Sequence, residues 1–545
     1  MKSNSKNTYR IMSGLAVMAL VAGQPAQADD RESLETLRET TLNLIDALVE
    51  QGIFSRDKAD AMVKTAQAKA AKAAAKEKPK AGAPVRVQYV PETVKNEIRD
   101  QLRQEVLAQA KAERWAEPNA VPSWLDRIKW EGDVRVRYQT DQYDKNNAPP
   151  LDYITASGFG TTRAAGFLTT STLTGPNTTT TDDRERFRLR ARLGMLAKVS
   201  DDWSAGIRLS TGNSADRVST NQTLGQDFNK YALMVDRAYV KYDPLEWFSV
   251  SGGRIPNPWF STDLVWDEDL NFEGFAATFK PALGDGSFRP FLTVGAFPLK
   301  EENQPKTTGR WLKGAQAGAR WELAQNTRLN FGAAWYDYSR LEGRPDGDPG
   351  LGPVPSFGQY EYSSNLRQKG NTLFLTDFNR TDGSPSQHWG LASKFRPINL
   401  TASLDLAHFD PVHVVLTADY VKNTAFDRSE IQRRTGLNLI DGKDYGYLYK
   451  LVVGMPKLEK RNDWQASFAY RYLGSDATLD AFTDSDFGLG GTNLKGYVLG
   501  LSYGLDPNAS LNLRWLSAQS IDSFSLVPSQ RYAVDVIQAD VNVRF

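Results

Sequence analysis

From Trp124 to Phe545, apolar and polar positions alternate with period two in segment after segment. Successive side chains of a strand point to opposite faces, so each such segment has one greasy and one wet surface. In the first, Trp130, Val134, Val136 and Tyr138 oppose Glu131, Asp133, Arg135 and Arg137. Further on, Leu400, Ala402, Leu404 and Leu406 oppose Asn399, Thr401, Ser403 and Asp405, and Trp464, Ala466, Phe468, Tyr470 and Tyr472 oppose Asp463, Gln465, Ser467 and Arg471. The final stretch, RYAVDVIQADVNVRF, sets Ile537, Ala539, Val541, Val543 and Phe545 against Gln538, Asp540, Asn542 and Arg544. Such apolar faces meet a second sheet in a soluble sandwich and lipid in a membrane barrel.

Connection lengths favour the barrel. Short turns (Ser200-Asp201-Asp202, Asp243-Pro244-Leu245, Ala324-Gln325-Asn326, Asp410-Pro411, Asp506-Pro507-Asn508) alternate with long polar loops, the longest over about 139–182 and 341–387. Tight turns at one end and long loops at the other are the layout of outer-membrane barrels. Sixteen strands are expected, centred near Val134, Leu189, Ile207, Ala238, Val250, Ala277, Thr293, Ala317, Phe331, Leu404, Leu416, Leu451, Phe468, Leu499, Leu513 and Val541. An even count brings both ends of the barrel to one side, and sixteen strands enclose a lumen wide enough for water. The expected fold is therefore all-β, an antiparallel transmembrane β-barrel over 129–545.

The chain before Trp124 follows another rhythm. Lys2, Lys6 and Arg10, an apolar run from Ile11 of about a dozen residues, and Ala26-Gln27-Ala28 have the form of a cleavable export signal over 1–28. The run falls well short of the ~20 residues a bilayer-spanning helix needs. From Asp29 to about Trp115 apolar positions recur at steps of three and four (Leu34, Leu37, Thr41, Leu44, Leu48, and later Val94, Ile98, Leu102, Val106), interrupted by an Ala/Lys stretch and a linker over 79–91. This predicts a short periplasmic α-helical, coiled-coil-like region over 29–128. An oligomerising or envelope-spacing stalk and a helical hairpin at the barrel mouth both fit it.

Composition removes several classes of chemistry. With no cysteine and three histidines (His388, His408, His413), neither a disulfide framework nor a Cys/His metal site is expected. The net charge of +1, which falls to about −2 without Lys2, Lys6 and Arg10, provides no basic excess for nucleic acid. No Ser lies in a G-x-S-x-G context, and no histidine has the surroundings of a hydrolase site, so no catalytic residue, cofactor or metal is expected.

Charged positions suggest a channel instead. Arg184, Arg186, Arg188, Arg190 and Arg192 share one face of the second strand, opposite Phe187, Leu189, Ala191 and Leu193. An Arg at the bilayer midplane costs roughly 2–4 kcal/mol, so this file must face the lumen. Arg208, Arg237 and Lys241 on the next two strands extend the basic wall, either tuning permeation or pairing with acids across the barrel. The third long loop then carries Asp263, Asp267, Glu268, Asp269 and Glu273 among Trp259, Phe260, Leu264, Val265 and Trp266, too apolar a set for a solvated loop. Folded inward, it would set acids against arginines, and rings of charge tune ion selectivity.

The segment GGRIPNPWFSTDLVWDEDLNFEG resembles a loop of a family of proteobacterial proteins described as putative porins, and VQYVPETVKNEIRDQLRQEV with RWAEPNAVPSWLDRIKWEGDVRVRYQ resembles their amino-terminal part. The resemblance implies a water-filled pore in the Gram-negative outer membrane, in contact with lipid and lipopolysaccharide and assembled as porin-like homotrimers. It brings no catalytic residue. Phe545 at the end of the last strand resembles the signal read by the barrel-assembly machinery. Two other functions remain open: a tether whose helical segment contacts peptidoglycan, and an outer-membrane hydrolase.

Overall fold

The structure, a computed structural model, describes residues 127–147, 180–284, 286–301, 309–345, 360–363, 365–377, 388–435, 443–522 and 531–545, together with Lys64, Ala164 and Ala165. The export signal expected over 1–28 and, Lys64 apart, the helical region expected up to about Trp115 lie outside the described residues. The chain divides into units at 1–118 and 119–545, and the second is the barrel.

Sixteen strands build it: β1 Ile128–Tyr143, β2 Arg184–Lys198, β3 Trp203–Ser210, β4 Met234–Leu245, β5 Phe248–Pro256, β6 Asn271–Phe279, β7 Phe288–Lys300, β8 Arg310–Ala324, β9 Thr327–Ser339, β10 Pro397–Phe409, β11 Val412–Asn423, β12 Tyr445–Gly454, β13 Trp464–Leu473, β14 Leu494–Asp506, β15 Ala509–Ser520 and β16 Ala533–Arg544. Every centre expected from the alternation falls inside one of them. Each strand is antiparallel to the next, and β16 returns to β1 with Val134 opposite Val543 and Val136 opposite Val541. Closure leaves the barrel wall no free edge, which is what allows strands to sit in lipid with every backbone group paired.

Burial separates the two faces. Trp130 and Phe187 are each 56% exposed on the outer surface, whereas Arg137 on the inner face of β1 is 1% exposed. The seam is capped by Phe545, whose N–H donates to the Gly132 carbonyl (3.0 Å) and whose carbonyl accepts from the Gly132 N–H (2.9 Å). Its ring covers Gly132 so closely that a Cβ there would lie 2.4 Å from it.

One end of the barrel has tight connections (246–247, 325–326, 410–411 and 507–508 among them) and the other has long ones. Four of the long loops matter below: L2 (211–233), L3 (257–270), L5 (340–396) and L7 (474–493). One local reading needs correction. Asp243-Pro244-Leu245 is not a turn but the tail of β4; a register shift between Tyr242 and Leu245 spares Pro244 a ladder bond it cannot donate, and the chain turns at Glu246-Trp247. β5 passes through Gly252-Gly253 to Pro256, and Gly253, at φ 116°, runs where a Cβ would lie 2.4 Å from the Ala238 carbonyl.

The apolar core lies inside the barrel. Trp259 and Trp266 of L3 and Phe482 of L7 pack on Phe272, Phe297 and Tyr336 from the wall. Their ring centroids are 4.9 Å apart for Trp266 and Phe272, 5.1 Å for Trp266 and Tyr336, and 5.3 Å for Trp259 and Tyr336, mostly edge to face.

Candidate channel lumen

The inward positions of β1, β2, β13 and β15 and the two infolded loops surround a polar cavity of about 980 Å³. It is lined by eight cationic side chains (Arg135, Arg137, Arg190, Arg192, Lys450, Arg471, Arg514, Arg544) and eight acidic ones (Asp133, Asp263, Asp267, Glu268, Asp269, Asp484, Asp486, Asp540). Hydroxyl and amide groups, including Thr401, Ser403, Thr417, Gln465 and Asn512, complete the wall.

The arginine file of β2 divides along its length. Arg190 and Arg192 reach the cavity, where both bond Asp133 of β1 (3.0 and 2.6 Å) and approach Asp269 of L3 (3.9 and 3.1 Å). Towards the loop end, Arg186 pairs with Asp141 at 2.8 Å, Arg188 donates to Gln139 (3.3 Å) and Ser219 (3.4 Å), and Arg184 is exposed. Arg208 pairs with Asp236 next to it, Arg237 donates to Asn271 (2.7 Å), and Lys241 pairs with Asp243 at 2.7 Å. None of these six lines the cavity. Arg135 and Arg137 of β1, Arg471 of β13 and Arg514 of β15 do. They were legible as inward polar positions, but no file of like residues singled them out.

L3 is fastened at both flanks. Gln316 of β8 accepts from the Phe260 N–H (2.8 Å) and donates to its carbonyl (2.7 Å), and Thr262 donates to Asp419 of β11 (2.5 Å). Leu264 and Val265 are fully buried. Its acids have different surroundings. Asp269 accepts from Thr220 (3.0 Å) as well as from Arg192, and although burial opposes ionisation, Arg190 and Arg192 hold its carboxyl below the usual range. Burial also opposes ionisation of Asp263, and Lys450, Arg471 and Arg514 outweigh it. Asp267 is pushed well up by burial and by Asp484 and Asp269, although it accepts from the N–H groups of Asp269 (2.8 Å) and Ser485 (2.9 Å). Glu268 is exposed. Glu273 stands on β6 rather than in the loop and pairs with Arg254 at 2.5 Å.

L7 is the element that sequence reasoning passed over. It enters the barrel and meets L3, the Asp267 N–H donating to the Phe482 carbonyl at 2.8 Å. Asp486 bridges Arg137 (2.9 Å) and Arg514 (3.2 Å), and Arg137 is also gripped by both oxygens of Asp540 (2.7 and 2.9 Å). Burial works against the Asp486 charge, but Arg137 and Arg514 hold the carboxyl far below its ordinary value. Asp484 pairs with Arg471 at 3.4 Å, yet burial and the nearby Asp263 push it up to about 6. Deeper in the loop end, Asp476 accepts from Thr372 Oγ1 (2.6 Å) and Asp480 from Tyr362 (2.5 Å), so two buried carboxyls, each raised to about 6 chiefly by burial, latch L7 to L5. The available sequence sign was the mixture in SDATLDAFTDSDFGLGG of acids with Leu479, Phe482 and Phe487, the same mixture that marked L3.

The histidines are scattered. His413 lies 2.8 Å from Asp405, His408 meets Thr327 at 3.1 Å, and His388 is 3.1 Å from Glu361.

No curated protein matches the chain. Solved structures that resemble it include Salmonella typhi OmpF in complex with daunomycin (TM-score 0.38, 10% identity, 77% of this chain and 97% of that one). They also include the outer membrane channel DcaP of Acinetobacter baumannii (0.36, 12%, 77% and 97%) and Pseudomonas putida OprB at high pH (0.41, 10%, 77% and 95%). The family model described as "Putative porin" matches residues 38–545, a span that takes in all sixteen strands. On that match the chain belongs to this family of porins.

Proposed function

We propose that the barrel is a water-filled channel through which small hydrophilic solutes and ions diffuse passively across the outer membrane. The observation that carries this reading is the contrast between an apolar exterior and an interior cavity of about 980 Å³ lined by sixteen charged side chains. Charged groups in such number inside a closed barrel are tolerated where water reaches them, and water that reaches them carries ions. In this reading Arg135, Arg137, Arg190 and Arg192, faced by the acids of L3 and L7, set ion preference.

The same reading orients the chain. The turn end and the amino-terminal region face the periplasm, the long loops face outward among lipopolysaccharide, and the outer surface contacts lipid and two further copies in a trimer. Purified full-length protein added to a planar bilayer should give stepwise, ohmic conductance increments. Their absence from protein shown to be folded by heat-modifiable mobility would overturn the proposal.

A further inference from the structure

A second cavity of about 340 Å³ lies in the barrel on the other side of L3, and Trp266 lines both. Its character differs from that of the central one. The floor is apolar: Phe272 and Phe297 are buried against the loop, while Leu299 of β7 and Leu366 of L5 pack on that core and remain only partly covered. Leu299 follows Phe297 on the inward face of its strand, so lipid does not cover what is left bare.

The rim is cationic. Arg217 of L2 donates to the main-chain carbonyls of Asn365 (2.9 Å) and Leu366 (3.4 Å), and among the described residues it bonds no carboxylate. Arg254 stands on the same cavity, with its charge shared by Glu273 at 2.5 Å. The other lining acid, Glu361, faces His388 at 3.1 Å. Among the described residues this guanidinium is hydrogen-bonded only to carbonyls, with Asp216 and Asp480 acting on it through space without a bond. That leaves charge-assisted donors beside half-covered leucines, to be satisfied together with the apolar surface.

The geometry points to a binding site for small amphipathic anions, in which a carboxylate meets Arg217 and an apolar or aromatic body lies on Leu299 and Leu366. The volume sits at the low end of the ~300–1,000 Å³ usual for ligand pockets, which suits a ligand the size of a single ring with its carboxylate. The inference rests on the porin reading for its purpose, since a shallow site beside the path selects which solutes enter. It does not rest on that reading for its test.

Benzoate is the probe, with acetate (charge without the ring) and benzyl alcohol (ring without the charge) as comparisons. Calorimetry on detergent-folded full-length protein measures binding without requiring conduction, and block of the single-channel current by benzoate measures it in the membrane. Benzoate should bind saturably and at least tenfold more tightly than either comparison. Arg217→Gln should weaken it about tenfold or more, by loss of a charge-assisted pair. Leu299→Ser, a check independent of the folding of L2, should weaken benzoate roughly threefold to tenfold and leave acetate unchanged. Benzoate no tighter than acetate, or unaffected by both substitutions, would overturn the site while leaving a conducting porin intact. Calorimetric binding without any conductance would support the site and overturn the porin reading.

Discussion

Replacing Asp486 by Asn removes a single negative charge from the centre of the lumen at nearly constant shape. Eight cations then face seven acids around the central cavity, and Arg137 and Arg514 lose their shared partner. Arg137 keeps both oxygens of Asp540, and Arg514, 29% exposed, keeps its bond to Gln538 (3.4 Å), so no fully buried charge is orphaned. The cost in stability should therefore stay near the ~1–3 kcal/mol of a lost polar partner, below the ~3–5 kcal/mol of a broken buried ion pair. For an ion passing at about 8 Å through water, one unit charge is worth about 0.5 kcal/mol before screening, roughly twofold for each ion and, because anion and cation shift in opposite directions, about fivefold in the anion-to-cation permeability ratio. Screening sets the conditions of measurement: at 0.01 M salt, with a Debye length of ~30 Å, most of the effect survives, and at 1 M, with ~3 Å, it vanishes. Reversal potentials across a planar bilayer under a KCl gradient should shift towards anions at low salt and converge with those of the parent protein at high salt. Arg514→Gln should move them the other way. A shift towards cations in the Asp486 variant, or none at low salt, would refute the placement of this residue beside the ion path.

Burial and Asp263 raise Asp484 to about 6, so lowering the pH from 7.5 to 5 should neutralise it and shift selectivity towards anions, a shift that Asp484→Asn should abolish. Asp476 and Asp480, also raised to about 6 mainly by burial, stabilise the L5–L7 latch in their protonated form. That contribution is complete below their ordinary carboxylate value and lost as pH rises through about 6, so the protection of amides in residues 365–377, taken relative to their intrinsic base-catalysed exchange at each pH, should be lower at pH 7.5 than at pH 5, with the difference reduced in Asp480→Asn. In protein refolded into detergent, where the assembly machinery takes no part, Gly132→Val should displace the Phe545 ring and lower the heat-modifiable folded fraction, and adding Phe545→Ala should restore part of it. Trp266→Ala, by emptying the aromatic anchor of L3 at about 3–5 kcal/mol, should raise single-channel conductance and its noise without unfolding the barrel.

The wall was legible and the contents of the lumen were only partly so, for a physical reason. Alternation is a local property: Trp130 and Arg137 declare their faces within one strand, and a closed sheet follows once every strand has a lipid-type side. Closure by β16 on β1 needed only the even count. The burial of L3 was foreshadowed by Leu264, Val265 and Trp266, because apolar residues in a loop must pack somewhere. Which acid meets which arginine is not local. Arg137 and Asp486 are 349 positions apart, and nothing in either neighbourhood names the other. The β2 file looked uniform because its spacing is uniform, yet the depth at which L3 and L7 cross the barrel leaves Arg190 and Arg192 on the cavity and Arg186 and Arg188 in hydrogen-bonded pairs beyond it. At Pro244 the turn signal failed because a bulge lets proline sit in a strand.

Everything said of ion paths depends on the lumen carrying water from one end to the other. Single-channel recording of the purified full-length protein in a planar bilayer tests that most directly. The account predicts discrete, voltage-independent conductance steps that scale with bulk KCl conductivity above about 0.3 M, where wall charges are screened within ~6 Å. Folded, heat-modifiable protein that inserts and yields no steps at any salt concentration would contradict it.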